Sequence, residues 1–273
     1  MSLLEAIVLG LVQGLTEFLP ISSTAHLRIV PALVGWDDPG AAYSAVIQLG
    51  TVVAVLVYFS KDLLRLTKAF IEGLRTKKPF GTEDSRLAWY VGIGTIPISV
   101  LGLAFKKLIK SELRSLWVIA IALIVLAVVL FIVERVASQK RGISELTLKD
   151  GVVVGLWQAL ALIPGSSRSG TTITGSLALG LKREDAARFS FLLSIPATTL
   201  AGLLELKDLL QATERPSIAA MVVGTVVSFV AGYASIGGLL RLVKTRSMLV
   251  FVVYRLVLGG ALIALLVMGV LQP

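Results

Sequence analysis

Long apolar runs separated by short polar segments dominate the chain. A helix rises about 1.5 Å per residue, so about 20 apolar residues cross the roughly 30 Å hydrocarbon core of a bilayer. Runs close to this length lie near 43–59, 88–106, 116–134, 187–204, 217–240 and 249–270. The pattern therefore predicts an all-α polytopic membrane protein.

Two further apolar regions, 3–35 and 151–181, are interrupted near their middle. Pro20 and Pro164 end the first helical piece of each region, and a serine-rich segment follows before apolar residues resume. Neither piece is long enough to cross a bilayer, so each region is predicted to form a re-entrant helical hairpin. A broken backbone at membrane depth must be surrounded by protein or water, which makes both breaks candidate sites.

The two halves of the chain repeat one plan. Gly10-Leu11-Val12-Gln13 corresponds to Gly155-Leu156-Trp157-Gln158. Leu19-Pro20-Ile21-Ser22-Ser23 corresponds in the same way to Ile163-Pro164-Gly165-Ser166-Ser167. Each half is therefore predicted to contain one re-entrant hairpin followed by three transmembrane helices.

These correspondences predict a single integral-membrane domain over 1–273, with one repeat at about 1–140 and the other at about 146–273. Three crossings per half is an odd number, so the second half must have inverted topology relative to the first. Under this arrangement most of the 26 Lys and Arg residues lie on one side, which the positive-inside rule assigns to the cytoplasm. The first hairpin then enters from the external face, and the site is expected to open there.

Composition excludes several classes of protein. With 56% hydrophobic and 16% charged residues, the chain has too little polar surface for a water-soluble enzyme. It contains no cysteine, which excludes disulfides and thiolate chemistry, and His26 is its single histidine, so a metal would be held mostly by oxygen. The net charge of +9 comes from basic residues in short loops without interleaved aromatic residues, a distribution that argues against nucleic acid as a partner.

Four ionisable residues lie deepest in apolar sequence: Glu17, His26, Arg168 and Arg255. Such a group costs at least about 2.5 to 3.5 kcal/mol at the centre of a membrane helix, so each is a functional candidate. A purely structural ion pair between Glu17 and Arg168 is the alternative for those two. Arg255 lies in an otherwise plain spanning helix, where it can equally tie helices together.

Polar residues surround both predicted breaks. Gln13 and Glu17 are spaced i, i+4 and share one helix face, where the carboxylate suits a base or a metal ligand. Ser22 or Ser23 would cap the helix after the first break, and His26 lies within one helical turn of both.

Ser166 and Ser167 occupy the matching cap of the second break. Two helix N-termini would thus converge on one anionic group, and Arg168 offers bidentate donation to phosphate oxygens. The expected ligand is a phosphate.

The segments Gln13–His26 (QGLTEFLPISSTAH) and Pro164–Thr172 (PGSSRSGTT) resemble the two signature regions of the bacterial undecaprenyl-diphosphatase family, also called the bacitracin-resistance family. The segments Val46–Gly50 and Tyr254-Arg255 also resemble family segments, so the likeness covers essentially the whole chain. It implies a multi-pass hydrolase of the bacterial inner membrane that converts undecaprenyl diphosphate to undecaprenyl phosphate. It also implies a role in recycling the lipid carrier for peptidoglycan, and a divalent cation, Mg²⁺ or Ca²⁺, as cofactor.

The resemblance implies roles for individual residues. Catalytic roles fall on Glu17, Ser23, His26 and Arg168, and Glu17 is also the expected metal ligand. The expected substrate-binding residues are Gln13, Ser22, Thr24, Gln48, Ser166, Ser167, Ser169, Thr172 and Arg255. Gln13 stands where some members carry a second Glu, which weakens a metal site made of two carboxylates.

The sequence leaves open whether Ser22, Ser23 or His26 is the nucleophile, or whether water attacks directly. The expected partners are a polyprenyl diphosphate and the lipid bilayer, with a homodimer left open. The competing interpretation is a secondary transporter or lipid-phosphate flippase, because inverted repeats with broken helices also build transporters.

Overall fold

In the computed structural model, which describes residues 1–211 and 217–272, the chain forms twelve α-helices. In chain order they are α1 (Leu3–Glu17), α2 (Ser23–Val34), α3 (Gly40–Tyr58), α4 (Ser60–Arg75), α5 (Glu83–Ala104), α6 (Lys106–Lys110), α7 (Leu116–Val136), α8 (Leu148–Ala159), α9 (Arg168–Ala178), α10 (Arg183–Gln211), α11 (Ile218–Thr245) and α12 (Leu249–Val267). Short 3₁₀ turns lie at Glu112–Arg114, Ile143–Glu145 and Leu160–Leu162.

Several of these helices are long and apolar enough to cross a membrane. Within the described residues, five qualify: α5, α7, α11, α12 and the Arg183–Leu204 part of α10. A sixth crossing is reached if α3 and α4, which meet at a bend of 75°, count as one broken span. The prediction of an all-α polytopic membrane protein is therefore confirmed.

Both interrupted regions form pairs of short helices, α1 with α2 and α8 with α9. The longest of the four, α1, has 15 residues, too few to cross the hydrocarbon core at about 1.5 Å per residue. Ser2 caps the N-terminus of α1, and Thr147 caps that of α8. Each cap side chain accepts from the backbone N–H of an acidic residue three positions later, whose carboxylate accepts in turn from the backbone N–H of the cap residue.

The first short helix of each half packs against a long helix of the other half. A Cβ atom added at Gly10 of α1 would lie 2.5 Å from the carbonyl oxygen of Gly224 in α11. A Cβ atom added at Gly155 of α8 would lie 2.5 Å from the carbonyl oxygen of Gly94 in α5. Small residues allow such close backbone contacts between membrane helices. The α1–α11 and α8–α5 contacts bring both breaks into the interior.

Candidate active site at two helix breaks

The first break begins where α1 ends at Glu17, before Pro20 prevents helical continuation. Ser22 is the cap of α2, and its hydroxyl accepts a hydrogen bond from the backbone N–H of Ala25 at 3.4 Å. Ser22 adopts φ 74°, in the left-handed region that non-glycine residues seldom occupy. This places the next residue, Ser23, as the first residue of α2.

The second break has the same cap geometry. Ser167 adopts φ 67°, and its hydroxyl accepts from the N–H of Gly170 at 3.1 Å. Ser167 therefore corresponds in structure to Ser22. An alignment that places Pro20 on Pro164 pairs Ser167 with Ser23 instead, one residue later. The predicted pairing of Ser22 with Ser166 is wrong because the cap, and not the proline, defines where each helix begins.

Glu17 is the centre of the site. Its Oε2 atom accepts from Ser23 Oγ at 2.6 Å and from Gln13 Nε2 at 3.0 Å. Its Oε1 atom accepts from Arg168 NH2 at 2.7 Å and from Gln48 Nε2 at 3.2 Å. Glu17 is 6% exposed, so these donors are what stabilises its charge. Four predicted site residues thus donate to Glu17, namely Gln13, Ser23, Gln48 and Arg168.

The Ser23 hydroxyl is oriented for proton transfer. It is 9% exposed and donates to a carboxylate at a short distance, the arrangement in which a base takes the proton of an attacking hydroxyl. The adjacent Ser22 hydroxyl instead bonds Thr24 Oγ1 at 3.1 Å. The geometry therefore favours Ser23 over Ser22 as the nucleophile.

Arg168 is only partly used by the protein. One nitrogen, NH2, bonds Glu17, whereas Nε and NH1 are buried without a hydrogen-bond partner among the described residues. Buried donors are nearly always satisfied, so two unused guanidinium donors indicate a place for an acceptor from outside the chain. A phosphate oxygen is a suitable acceptor for each of these donors.

A cavity of about 170 Å³ opens against this group. Its polar lining includes Glu17, Ser22, Ser23, Gln48, Ser167, Arg168 and Thr198. Thr24, another predicted binding residue, is exposed and also lines it. The cavity is large enough for a phosphate group beside Ser23.

An apolar groove of about 250 Å³ adjoins this cavity and lies between α5 and α10. Ile98, Ala197 and Ala201 line both spaces, so the groove and the cavity adjoin there. Farther along the groove, Leu103 and Leu200 are exposed on the face that a bilayer would cover. The two spaces together fit a ligand with a polar head and a long apolar chain.

His26 lies near the first break but does not line the cavity. Its Nδ1 atom is 2.7 Å from the carbonyl oxygen of Ser22, and its Nε2 atom is 2.6 Å from the hydroxyl of Tyr254. A carbonyl only accepts, so Nδ1 carries the hydrogen and Nε2 of the neutral ring accepts from Tyr254. Neither nitrogen bonds Ser23 or Glu17 in this arrangement.

Sequence reasoning did not select Tyr254 as a site residue. The tyrosine belongs to the family-like Tyr254-Arg255 pair, but it lies 228 positions from His26. Its ring also stacks on the imidazole, with centroids 5.6 Å apart. Only the folded chain reveals this partner.

Arg255 is fully buried and donates hydrogen bonds to the backbone of both breaks. Its guanidinium donates only to carbonyl oxygens, at 3.2 to 3.4 Å, of Pro20, Ala122, Leu123, Gly165 and Ser166. These acceptors include one residue of the first break and two of the second. The contacts support the structural alternative for Arg255, as a tie between the two breaks.

Three predicted binding residues at or near the second break do not line the cavity. The hydroxyl of Ser169 donates to the carbonyl of Leu19 at 2.9 Å, and that of Thr172 shares a hydrogen bond with Ser190 at 2.6 Å. Ser166 is 0% exposed, and its hydroxyl has no partner among the described residues. Of the predicted residues on this side, Ser167 and Arg168 are those that reach the cavity.

The fold and site together define a multi-pass helical membrane protein with a buried serine, carboxylate and arginine at the junction of two broken helices. The model of the family described as bacitracin resistance protein BacA matches residues 6–261. The chain belongs to this family.

Proteins called undecaprenyl-diphosphatase are close relatives in sequence. One from Myxococcus xanthus is 65% identical over 273 residues, covering 100% of this chain and 92% of that protein. One from Chloroherpeton thalassium is 54% identical, with 100% and 99% covered, and one from a Nocardioides species is 50% identical, with 98% of each covered.

Proposed function

We propose that this protein is an integral-membrane undecaprenyl-diphosphatase, which hydrolyses undecaprenyl diphosphate to undecaprenyl phosphate and inorganic phosphate. The observation that carries the proposal is the 2.6 Å bond from Ser23 Oγ to Glu17, beside an Arg168 with two unused donors. This reaction recycles the lipid carrier for peptidoglycan, and the carrier's release from the diphosphate form explains the bacitracin resistance for which the family is named.

The substrate would be divided between the two spaces. The diphosphate lies in the polar cavity with its terminal phosphorus near Ser23. The prenyl chain lies in the groove between α5 and α10, where apolar side chains and the bilayer replace water around it. The division orients the phosphorus toward the nucleophile before the reaction begins.

In the proposed mechanism Ser23 Oγ attacks the terminal phosphorus while Glu17 takes the hydroxyl proton. The bond from phosphorus to the bridging oxygen breaks, and undecaprenyl phosphate leaves. The free donors of Arg168 and the N-termini of α2 and α9 stabilise the charge on the phosphoryl oxygens. Glu17 gives the proton from Ser23 up to the departing prenyl phosphate. It then takes a proton from the water that attacks the phosphoserine and returns it to Ser23 Oγ as inorganic phosphate leaves. Direct attack by water held at Glu17 uses the same groups.

A divalent cation fits the oxygen chemistry of this site. Within the described residues no three His, Cys, Asp or Glu side chains group together to hold a metal, and Glu17 is the carboxylate that lines the cavity. Mg²⁺ is commonly held by one or two carboxylates together with substrate phosphates. Glu17, with the amide oxygens of Gln13 or Gln48, would hold the ion, which would neutralise charge on the phosphates.

The proposal includes an inverted repeat within one domain of the bacterial inner membrane, with the site open to the external face. The two glycine contacts support the repeat, because exchanging the halves converts the Gly10–Gly224 pair into the Gly155–Gly94 pair. The shared cap geometry of Ser22 and Ser167 supports it independently.

The test is phosphate release from a detergent-solubilised long-chain prenyl diphosphate, with and without Mg²⁺ or Ca²⁺. Ser23→Ala should abolish turnover but retain substrate binding, and Arg168→Ala should lose both. Ser235→Ala is the matched control, since this buried hydroxyl bonds only a carbonyl of its own helix, that of Ala231 at 2.8 Å, and it should retain full activity. Absence of hydrolysis by folded wild-type protein would contradict the proposal and favour a lipid transporter.

A further inference from the structure

A second group of charged residues lies at the far end of another cavity. Asp38 accepts two hydrogen bonds from Arg114 NH2, at 2.9 and 2.8 Å, and lies 3.6 Å from Arg28 Nε. The three side chains are 23% to 30% exposed, so the group is in contact with solvent. Two guanidinium groups share a single carboxylate, which leaves one positive charge in excess.

This cavity, of about 220 Å³, leads from the charged group to the catalytic residues. Its lining includes Arg28 and Arg114 as well as Ser23 and Gln48. Arg28 follows Ser23 by five positions on α2, a separation of about 7.5 Å along the helix axis. Ser23 and Gln48 also line the catalytic cavity, so the two spaces adjoin at these residues.

We infer that Arg28 and Arg114 form a second phosphate-binding site, which receives the inorganic phosphate released at Ser23 and passes it to the aqueous side. The inference rests on the proposed function. Hydrolysis yields two products with opposite solvent preferences: the prenyl phosphate stays in the apolar groove, whereas phosphate needs a polar route. The cavity that ends at the two arginines is that route.

Asp38 makes this site one of weak binding. Burial raises the pKa of its carboxyl, but the hydrogen bonds from Arg114 and from the Gly40 N–H outweigh burial, so the pKa lies below its usual value. Asp38 is therefore ionised at neutral pH and competes with phosphate for Arg114. Arg114 bonds Asp38 through NH2 only, and its remaining donors can bind phosphate while the pair persists. Weak binding suits a product that must leave.

The experiment measures inorganic phosphate itself. Equilibrium dialysis of radiolabelled phosphate is carried out in an Arg168→Ala background, which removes phosphate binding at the catalytic cavity and does not depend on turnover. Adding Arg28→Gln and Arg114→Gln should weaken phosphate binding at least about tenfold. Adding Asp38→Asn should strengthen it severalfold, because the arginines lose their competitor.

Arg65→Gln is the matched control. Arg65 likewise forms ion pairs with aspartate, Asp62 at 3.2 Å and Asp84 at 3.5 Å, but it lines none of the three cavities. It should leave phosphate binding unchanged. If the Asp38 and arginine variants both weaken binding, the group is only a structural ion pair and the inference is overturned.

Steady-state kinetics with Arg168 intact separate product from substrate. The double arginine variant should raise the inhibition constant for phosphate about tenfold and leave KM for the lipid unchanged. A raised KM with unchanged phosphate inhibition would assign the arginines to headgroup capture and overturn the inference. The dialysis result stands whether or not the wild-type protein hydrolyses the lipid, so failure of the two proposals can be told apart.

Discussion

At the scale of single residues, His26 illustrates how a polar side chain can serve a site without entering it. Its Nδ1 hydrogen bonds the carbonyl of Ser22, the residue held at φ 74°. A non-glycine residue in this conformation persists only when its surroundings hold it there. We infer that His26 and Tyr254 stabilise the strained cap and thereby hold Ser23 against Glu17.

Tyr254→Phe removes the hydrogen bond to His26 Nε2 and retains the ring stacking. A lost hydrogen bond of about 0.5 to 1.5 kcal/mol should lower kcat roughly two- to twelvefold, with little change in KM. The measurement is kcat and KM across pH 5 to 9 for this variant and for His26→Asn.

A positioning role for His26 requires that the residual activity of His26→Asn keep both limbs of the wild-type pH profile. Loss of one limb would show that the imidazole itself transfers a proton in the reaction.

At the scale of elements, close helix contacts hold the two breaks together. Gly10 of α1 precedes Gln13 by less than one turn, so the α1–α11 distance determines where the carboxylate end of α1 lies. The α8–α5 contact at Gly155 does the same for the second break. Backbones in contact leave no room for even a methyl group.

Gly10→Ala and Gly155→Ala should each destabilise the protein by about 1 to 3 kcal/mol, because an added methyl group must displace a backbone carbonyl 2.5 Å away. The apparent melting temperature in detergent and phosphate release report stability and activity. Gly238→Ala in α11 is the control, since an added Cβ there would meet no atom within 4 Å outside its own stretch of helix. Equal melting temperatures for all three variants would contradict this account of the packing.

At the scale of the whole molecule, the proposed topology separates the basic loops from the mouth of the site. Asp37 is exposed next to Asp38, the residue that pairs with Arg28 and Arg114. Lys140 is exposed in the loop that joins the two halves. The inverted-repeat proposal places these residues on opposite faces of the membrane.

Because the chain contains no cysteine, Asp37→Cys and Lys140→Cys each provide a single label site. In intact spheroplasts a membrane-impermeant maleimide should label Asp37→Cys, and it should label Lys140→Cys only after permeabilisation. The reverse pattern would place the mouth in the cytoplasm, and labelling of both in intact cells would refute the proposed topology.

The sequence by itself determined the apolar spans, the two interrupted regions and the polar residues at their breaks. These features are local, because hydrocarbon excludes unpaired backbone groups and proline ends helices wherever the chain folds. The repeat and the family resemblance together predicted that Glu17 and Arg168, 151 positions apart, lie at one site, and left Ser22 and Ser23 as alternatives.

Only the tertiary structure decided which of these residues meet. The cap at Ser22, the partner of His26 at Tyr254 and the carbonyl contacts of Arg255 all depend on hydrogen-bond directions across elements distant in sequence. Hydropathy and spacing carry no information on such directions, since a buried donor is satisfied by whatever acceptor the packed helices bring near it. For the same reason the sequence did not reveal that Nε and NH1 of Arg168 have no partner among the described residues, whereas Arg255 donates to backbone carbonyls.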